Sequence, residues 1–357
     1  MQNRLYRLLT WIVLLLGLAG SGVAGYWIKS DIDTRAYQHF FSYCEEIQLK
    51  IAARLEAHEQ VLLGGAALFE ASPAVDRQEW HTYVDRLRLD NHFNGIQGLG
   101  FALWIPVEQL ARHEATIRAE GFPDYKVHPE GEREAYSSII FLEPFSDRNL
   151  RAFGYDMYSE PVRRAAMEQA RDKNIVTLSE RVTLVQESNK DVQAGSLMYV
   201  PVYKKGQPID TIEQRRAALF GWVYSPFRMT DLLNNIVLQD NHFQAHLRIY
   251  DGQNTQAEHL LYDNSPNHSD TNPPHQHQLL VELTNNFNGT IWTLQFEKII
   301  VTNSLDYEGV WITLSTGTLI SFLLFLLSNS YLNMRVNAVK IATKLTRELK
   351  ESESRFR

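Results

Sequence analysis

Two long apolar segments near the ends of the chain constrain its fold more than any other feature. Residues 8–28 are 21 residues without a charged side chain, and residues 309–332 are a second uncharged run of 24 residues. As helices, each would extend at least about 30 Å, which is enough to cross the hydrocarbon core of a bilayer. The sequence therefore predicts two transmembrane helices with one large segment between them.

Charged residues are distributed unequally around these runs. Arg4 and Arg7 precede the first, Arg335 and Lys340 follow the second, and residues 29–308 carry 26 Lys/Arg against 39 Asp/Glu, a net charge of −13. The positive-inside bias predicts cytoplasmic ends and an extracytoplasmic segment between the two membrane spans. An acidic segment also disfavours nucleic acid as a partner.

A cleaved signal peptide is the alternative explanation for the first run. Residues 19–25 are rich in small side chains, as a cleavage site would be. Against it, the run is long for a signal sequence and a helical pattern continues beyond it.

That pattern predicts a long stalk helix over residues 29–72. Apolar or small residues recur at steps of three or four, which places them on one helix face. They are Ile32, Ala36, Phe40, Cys44, Ile47, Ile51, Leu55, His58, Leu62, Ala66 and Phe69. This face could form a homodimer or pack along its own domain, and Cys44 on it is interpreted as a small core residue.

Two mixed α/β units are predicted after the stalk. The first has strands at 94–104, 136–143 and 219–224, a hairpin formed by 174–186 and 196–203, and helices at 107–120 and 160–173, the latter capped by Ser159. The second has a helix at 229–235 and hairpins formed by 246–250 with 259–262 and by 279–284 with 290–297. Sheets covered by short helices, twice in tandem, predict two PAS-like domains.

Motifs for catalysis and cofactors are missing from the sequence. Gly95, Gly98 and Gly100 are in the wrong order for a dinucleotide loop and are interpreted as close strand packing. The histidines His259, His268, His275 and His277 surround a polar, proline-containing loop rather than a metal-site pattern. We therefore expect no catalytic site, no metal and no cofactor in these residues.

Residues 333–357 predict a cytoplasmic signalling helix. A stripe that includes Ala338, Ile341, Leu345 and Leu349 runs among charged side chains, as in a coiled coil. The final string ESESRFR resembles the opening of a cytoplasmic PAS domain. An output domain is therefore expected beyond residue 357, although a plain amphipathic tail is the alternative.

Residues from about 101 to 203 resemble the CHASE family. The stretches that carry the resemblance are GFALWIP (100–106), YSSIIFLEPFSDRN (136–149), RAFGYDMYSEPVRRAAMEQARDKN (151–174), TLSERVTLVQE (177–187) and GSLMYVPVY (195–203). The resemblance implies the extracytoplasmic sensor of plant cytokinin receptors and of many bacterial histidine kinases and diguanylate cyclases. With the two predicted spans, it implies a location in a bacterial inner (plasma) membrane. It also implies a small-molecule ligand, adenine-like in the cytokinin receptors.

The resemblance implies where that ligand binds. Asp156 would bind the adenine edge together with the backbone of Leu178, and Ser188 would lie where the plant receptors have threonine. Tyr155, Met157 and Tyr136 are added as pocket neighbours, and Arg151 or Arg181 are candidate donors to Asp156 in place of a ligand. Alternatively, Asp156 is a structural carboxylate satisfied by the helix beginning at Glu160, and Tyr136 only shapes the fold.

The predicted fold class is α+β, a long stalk helix and tandem PAS-like domains flanked by two transmembrane helices. The predicted boundaries are 1–7 cytoplasmic terminus, 8–28 first transmembrane helix, 29–72 stalk, 73–226 membrane-distal ligand-binding lobe, 227–306 membrane-proximal lobe, 307–332 second transmembrane helix and 333–357 signalling helix. The predicted function is that of a receptor input module whose ligand binding rearranges a dimer. The alternatives are a protein described by its output, a histidine kinase or a diguanylate cyclase/phosphodiesterase, and a purely structural dimerisation module.

Overall fold

The computed structural model describes residues 2–89, 95–187, 192–237, 245–264, 277–300 and 307–355. The chain divides into two units, one made of Met1–Phe40 with Ile300–Arg357 and the other of Phe41–Ile299. The helices are α1 (Gln2–Ala71), α2 (Arg77–Leu87), α3 (Leu110–Ala119), α4 (Pro161–Lys173), α5 (Ile212–Ala218), α6 (Met229–Val237) and α7 (Glu308–Arg355). The strands are β1 (Leu99–Pro106), β2 (Ala135–Glu143), β3 (Thr177–Leu178), β4 (Gly195–Tyr203), β5 (Leu219–Arg228), β6 (His246–Asp251), β7 (Leu260–Asp263), β8 (His277–Phe287) and β9 (Thr290–Ile300).

Two antiparallel sheets organise the larger unit. The first lobe is built on a five-stranded sheet in the order β2-β1-β5-β4-β3, and the second lobe on a four-stranded sheet in the order β7-β6-β9-β8. The mixed α+β class, the long first helix and the two tandem α/β units are as predicted. The tight turn between β8 and β9 contains Asn288 and Gly289, both with positive φ, which suits the short connection between them.

Three local predictions need correction. The strand predicted at 94–104 begins at Leu99. The hairpin partner predicted at 174–186 forms a strand only at Thr177 and Leu178, followed by an isolated bridge between Val182 and Gly195. Glu160, not Ser159, caps α4, because its carboxylate accepts hydrogen bonds from the amides of Val162 and Arg163 at 3.1 and 2.9 Å.

Two glycines, Gly98 just before β1 and Gly100 within it, have the predicted packing role. A Cβ at Gly98 would lie 2.6 Å from the carbonyl oxygen of Glu143, and a Cβ at Gly100 would lie 2.5 Å from the Tyr224 ring. Neither neighbour is free to move, since one is backbone and the other a buried ring. Glycine is therefore required where β1 lies between β2 and β5.

The stalk face is buried within its own chain. Residues of the predicted stripe from Phe40 to Ala66, including Ile47 and Leu62, are shielded from solvent. Farther along α1, Phe69 stacks on Phe101 of β1, with ring centroids 4.1 Å apart. Packing along its own domain therefore accounts for this stripe, and the homodimer stays a prediction.

Cys44 is a small core residue, as predicted. Its side chain is fully buried, and burial raises the pKa of the thiol to about 12. Because the thiolate is the reactive form, this cysteine is chemically inert near neutral pH.

The unit that contains the chain ends carries the two apolar helices. The first part of α1 and all of α7 include stretches of mean hydropathy 2.0 that are long and apolar enough to cross a membrane. Small residues lie where these helices touch. A Cβ at Gly17 would overlap the Ser321 side chain, a Cβ at Gly317 would overlap Ser21, and a Cβ at Gly25 would lie 2.9 Å from Leu314. Such contacts let two helix backbones approach closely.

We expect Gly17→Ile to separate α1 from α7, because the new side chain would occupy the space of Ser321. Gly20→Ile is the matched control, since nothing lies within 4 Å of a Cβ at Gly20. The measurement is cross-linking with a short bis-maleimide between cysteines introduced at Trp11 and Phe325, whose rings lie 5.0 Å apart, in a Cys44→Ala background. Cross-linking should fall several-fold with Gly17→Ile alone. Equal yields in the two variants would contradict this packing.

Candidate functional site

The inner face of the five-stranded sheet, on the side covered by α4, is an aromatic core. Trp222 is fully buried and donates its indole N–H to the carbonyl oxygen of Met167 in α4, at 3.0 Å. Trp104 meets Tyr158 and Trp222 edge to face, with centroid distances of 5.1 and 5.8 Å. In such surroundings a polar group is costly unless it is hydrogen-bonded.

Asp156 lies beside β2 at the edge of this core. Its amide donates to the carbonyl oxygen of His128 at 2.6 Å, which anchors the segment. Its Oδ1 accepts hydrogen bonds from the amides of Ser137 and Tyr158 at 2.8 and 3.1 Å, and the second of these caps the short 3-10 helix Met157–Ser159. The carboxylate is fully buried, and its Oδ1 has a structural role because it accepts these two backbone hydrogen bonds.

The other oxygen of Asp156 is not satisfied. Oδ2 lies 3.4 Å from Nη1 of Arg133 and has no hydrogen-bond partner. Burial raises the pKa of Asp156, and the Ser137 amide and the Arg133 guanidinium act in the opposite direction. A hydrogen-bond donor on a ligand could therefore bind Oδ2 of Asp156 without first displacing water from it.

The donors expected beside Asp156 are elsewhere. Arg151 donates to the carbonyl oxygen of Glu187 at 3.0 Å, and Arg181 donates to that of Leu260 at 3.1 Å. The expectation that either arginine serves Asp156 was wrong, since Arg133 holds that place. The alternative that α4 satisfies Asp156 was wrong as well, because the donor comes from the short helix before it.

Tyr155 and Met157, the predicted neighbours of Asp156, join the inner core. The Tyr155 ring lies under the guanidinium of Arg163, 5.0 Å from the ring centroid. The sulfur of Met157 receives the hydroxyl of Tyr199 at 3.6 Å. The structure therefore brings Asp156, Tyr155 and Met157 into one region.

Tyr136 has a different environment. It precedes Ser137 in β2, so the two side chains point to opposite faces of the sheet. Its hydroxyl donates to the carbonyl oxygen of Gly131 at 2.8 Å, and Arg133 lies over its ring at 5.5 Å. These contacts give Tyr136 a structural role in holding the loop that carries Arg133.

Leu178 lies at the other edge of the sheet, in β3. Its amide donates to the carbonyl oxygen of Asn288 at 2.9 Å, and its carbonyl oxygen accepts from the Thr290 hydroxyl at 2.7 Å. Both backbone groups predicted to hold ligand are thus bonded to the second lobe. Ser188 lies outside the described residues. The ligand-binding role of all six residues stays a prediction.

Three core residues were missed by sequence reasoning: Arg163, Tyr199 and Tyr224. All three are buried, and Tyr224 has a hydroxyl without a hydrogen-bond partner. The alternating pattern of β4 and β5 could have indicated the two tyrosines. Nothing local distinguishes Arg163 from the adjacent Arg164, whose guanidinium lies over Tyr158.

A cleft of about 560 Å³ separates α4 and β3 from the second lobe. Glu180 and Asp251 face it, and burial raises the pKa of Asp251. Asp251 also accepts a hydrogen bond from the Arg181 amide at 2.6 Å, so part of this carboxylate joins the lobes.

The described residues contain no group of three or more His, Cys, Asp or Glu side chains placed to hold a metal ion. Of the predicted loop histidines, His259 contacts Glu258 at 3.5 Å. His268 and His275 lie outside the described residues, and the side chain of His277 is not described. The expectation of no metal and no cofactor stays a prediction.

Comparison with known proteins identifies the family. The family model of the CHASE domain matches residues 73–262, more than half of the chain. The chain therefore belongs to the CHASE-domain family, and the resemblance predicted from its motifs is confirmed. A search of curated proteins finds no match.

Several solved structures align with the chain at low similarity. An extracellular ligand binding receptor from Desulfohalobium retbaense aligns at 10% identity and a TM-score of 0.43, over 71% of this chain and 39% of that receptor. The ligand-binding domain of the Pseudomonas aeruginosa amino acid chemoreceptor PctC, in complex with GABA, aligns at 10% identity and 0.43, over 73% and 99%. That of PctB, in complex with L-Arg, aligns at 11% and 0.41, over 72% and 94%. Because these TM-scores are below 0.5, the family assignment depends on the sequence match.

Proposed function

We propose that the chain is the input module of a membrane receptor that binds a small ligand outside the cytoplasm, on the inner face of its first lobe. One observation carries the proposal: Asp156 is a fully buried carboxylate in a CHASE domain, and its Oδ2 has no hydrogen-bond partner. A ligand N–H would satisfy this oxygen. The adenine-like class of ligand follows from the family resemblance alone.

The proposed topology has two membrane spans, residues 8–28 and 307–332. The apolar stretches of α1 and α7 and the net charge of −13 between them support an extracytoplasmic sensor. In this topology the two sheets are PAS-like lobes, with 73–226 distal and 227–306 proximal to the membrane. The stalk is 29–72, the terminus 1–7 is cytoplasmic, and 333–357 is the signalling helix.

Hydrogen bonds provide a route from the first lobe to the stalk. Leu178 of β3 is bonded to Asn288 and Thr290 at the turn between β8 and β9. The Asn288 side-chain amide in turn donates to Glu59 of α1 at 2.6 Å. A ligand that competes for the Leu178 backbone would release this turn, and so bias the position of α1.

The proposed output is a cytoplasmic activity that the signalling helix controls. A histidine kinase of a two-component system and a diguanylate cyclase/phosphodiesterase are the two candidates, each working as a homodimer through the stalk and signalling helices. Neither activity requires chemistry in these residues.

The test is thermal unfolding of the full chain in nanodiscs with purines, amino acids and short organic acids. We expect at least one class to raise the midpoint by several degrees, since a ligand that binds the folded state stabilises it by mass action. Absence of any shift would instead favour the structural dimerisation module. Reporter fusions within residues 30–308 test the topology, and activity of a cytoplasm-specific reporter there would exclude a sensor outside the cell.

A further inference from the structure

Arg163 is a buried cation for which the described part of the chain provides no ion-pair partner. Its side chain lies inside the first lobe, where Nη2 donates to the carbonyl oxygen of Thr183 at 2.8 Å and the guanidinium lies over Tyr155. Its Nε has no acceptor, and among the residues that the structure describes no carboxylate lies within ion-pair distance of it. Buried charges in proteins are normally paired, so this guanidinium lacks the anionic partner that a buried cation normally has.

Two acidic residues close to Arg163 in the chain accept hydrogen bonds from other groups. Glu160 precedes Arg163 at the start of α4, and its two oxygens accept hydrogen bonds from the amides of Val162 and Arg163. Asp156 faces Ser137 and Arg133 at the sheet edge. Neither carboxylate therefore supplies the missing acceptor for Nε.

A second unsatisfied donor lies near Arg163. Tyr224 is fully buried in β5, opposite Tyr199 of β4, and its hydroxyl has no hydrogen-bond partner. The Tyr199 and Tyr224 rings lie 6.4 Å apart, the Tyr199 hydroxyl contacts the sulfur of Met157, and Arg163 lies over Tyr155, two residues before Met157. In agreement with this arrangement, the charge of Arg163 acts to lower the pKa of both phenols, against burial, which raises it. The absence of a side chain at Gly100 is what admits the Tyr224 ring.

We propose that the Nε–H of Arg163 and the hydroxyl of Tyr224 form an anion-binding subsite that holds a carboxylate group of the ligand. The proposal rests on the proposed function, and it names the chemical class: a small organic acid rather than a neutral base. A carboxylate accepts from both donors and neutralises the guanidinium, and charge-assisted hydrogen bonds of this kind are the strong ones. Inorganic phosphate presents the same acceptor chemistry and is the competing source.

The test is thermal unfolding and calorimetry of the full chain in nanodiscs with matched probes. Succinate, pyruvate and L-amino acids form the acid arm, succinamide and amino acid amides the neutral arm, and inorganic phosphate and adenine complete the panel. We expect an acid to raise the midpoint and its amide to have no effect.

Arg163→Gln keeps a donor for the Thr183 carbonyl oxygen but loses the charge, so the acid should bind at least about tenfold more weakly. Arg164→Gln, on the same helix, should bind as the wild type does.

Tyr224→Phe provides a measurement that requires no ligand. Removal of a buried hydroxyl without a partner should leave the midpoint of the ligand-free chain equal or higher, while affinity for the acid falls. A clear drop in that midpoint would mean that the hydroxyl is structural and would overturn the subsite. If adenine stabilises the chain and no acid does, the subsite is refuted and the sensor function stands. If phosphate stabilises the chain and no carboxylate does, the subsite binds phosphate and the proposal of a carboxylate ligand is wrong. If no probe stabilises the chain, the result counts against both the subsite and the sensor function.

Discussion

Asp156→Ala is expected to remove ligand binding and to destabilise the first lobe by about 3 kcal/mol. The substitution leaves the buried amides of Ser137 and Tyr158 without their acceptor, and each lost hydrogen bond to a charged group costs about 1.5–3 kcal/mol. Asp156→Asn keeps an acceptor for those amides, so it should fold with a smaller loss but still fail to bind. The measurements are thermal unfolding followed by tryptophan fluorescence and calorimetry with the ligand that the screen identifies.

Comparing the stability of the wild type and Asp156→Asn over a range of pH measures the contribution of the Asp156 carboxyl group. Because burial raises the pKa of Asp156 above its ordinary value of 3.8, the unfolded chain releases this proton at lower pH than the folded chain. Ionisation therefore weakens the fold. The stability of the wild type relative to Asp156→Asn should be greatest below the unfolded pKa of 3.8, decline as pH rises towards the folded pKa, and be constant above it. A relative stability that instead increases with pH would show that hydrogen bonds, not desolvation, dominate this site.

Arg228→Leu is expected to destabilise the larger unit by about 3–5 kcal/mol, because it leaves the carboxylate of Glu187 buried without its ion-pair partner. Nε of Arg228 lies 2.8 Å from Oε1 of Glu187, and only 6% and 4% of the two side chains are exposed. Nη1 also contacts Asp231 of α6 at 2.7 Å, so one side chain joins the end of β5 to the start of the second lobe. For a unit of this size the midpoint should fall by about 10 °C.

A double-mutant cycle separates the ion pair from simple loss of packing. Arg228→Leu with Glu187→Leu should recover most of the stability, because the carboxylate of Glu187 is then no longer left buried without Arg228. Arg216→Leu is the matched control. That arginine pairs with Asp172 but its side chain is 56% exposed, so its removal should change the midpoint little. A double variant as unstable as Arg228→Leu alone would assign the loss to packing.

Local patterns in the sequence predicted the elements well. The steps of three and four that end at Phe69 predicted a helix, and α1 continues to Ala71. The hairpin predicted for 279–284 with 290–297 is formed by β8 and β9, with Asn288 and Gly289 in the turn between them. These predictions succeed because helix periodicity and tight turns depend on residues a few positions apart.

The site was only partly predictable. Asp156, Tyr155 and Met157 were found because they are adjacent in a motif. Arg133 was missed as the neighbour of Asp156, since it belongs to the segment preceding β2. Leu178 was expected to meet a ligand, yet its backbone is bonded to Asn288 and Thr290, more than a hundred positions later in the chain.

The sequence by itself determined the two apolar helices, the acidic segment between them, the buried face of α1 and membership of the CHASE family. Each follows from composition, from short-range periodicity or from motifs read along the chain. Only the tertiary structure decided which partners surround the buried charges. Arg133 lies beside Asp156, Glu187 lies beside Arg228, and among the described residues no carboxylate lies within ion-pair distance of Arg163. The physical reason is that the strand order β2-β1-β5-β4-β3 brings together segments distant in the chain, and the energy of a buried charge depends on those neighbours.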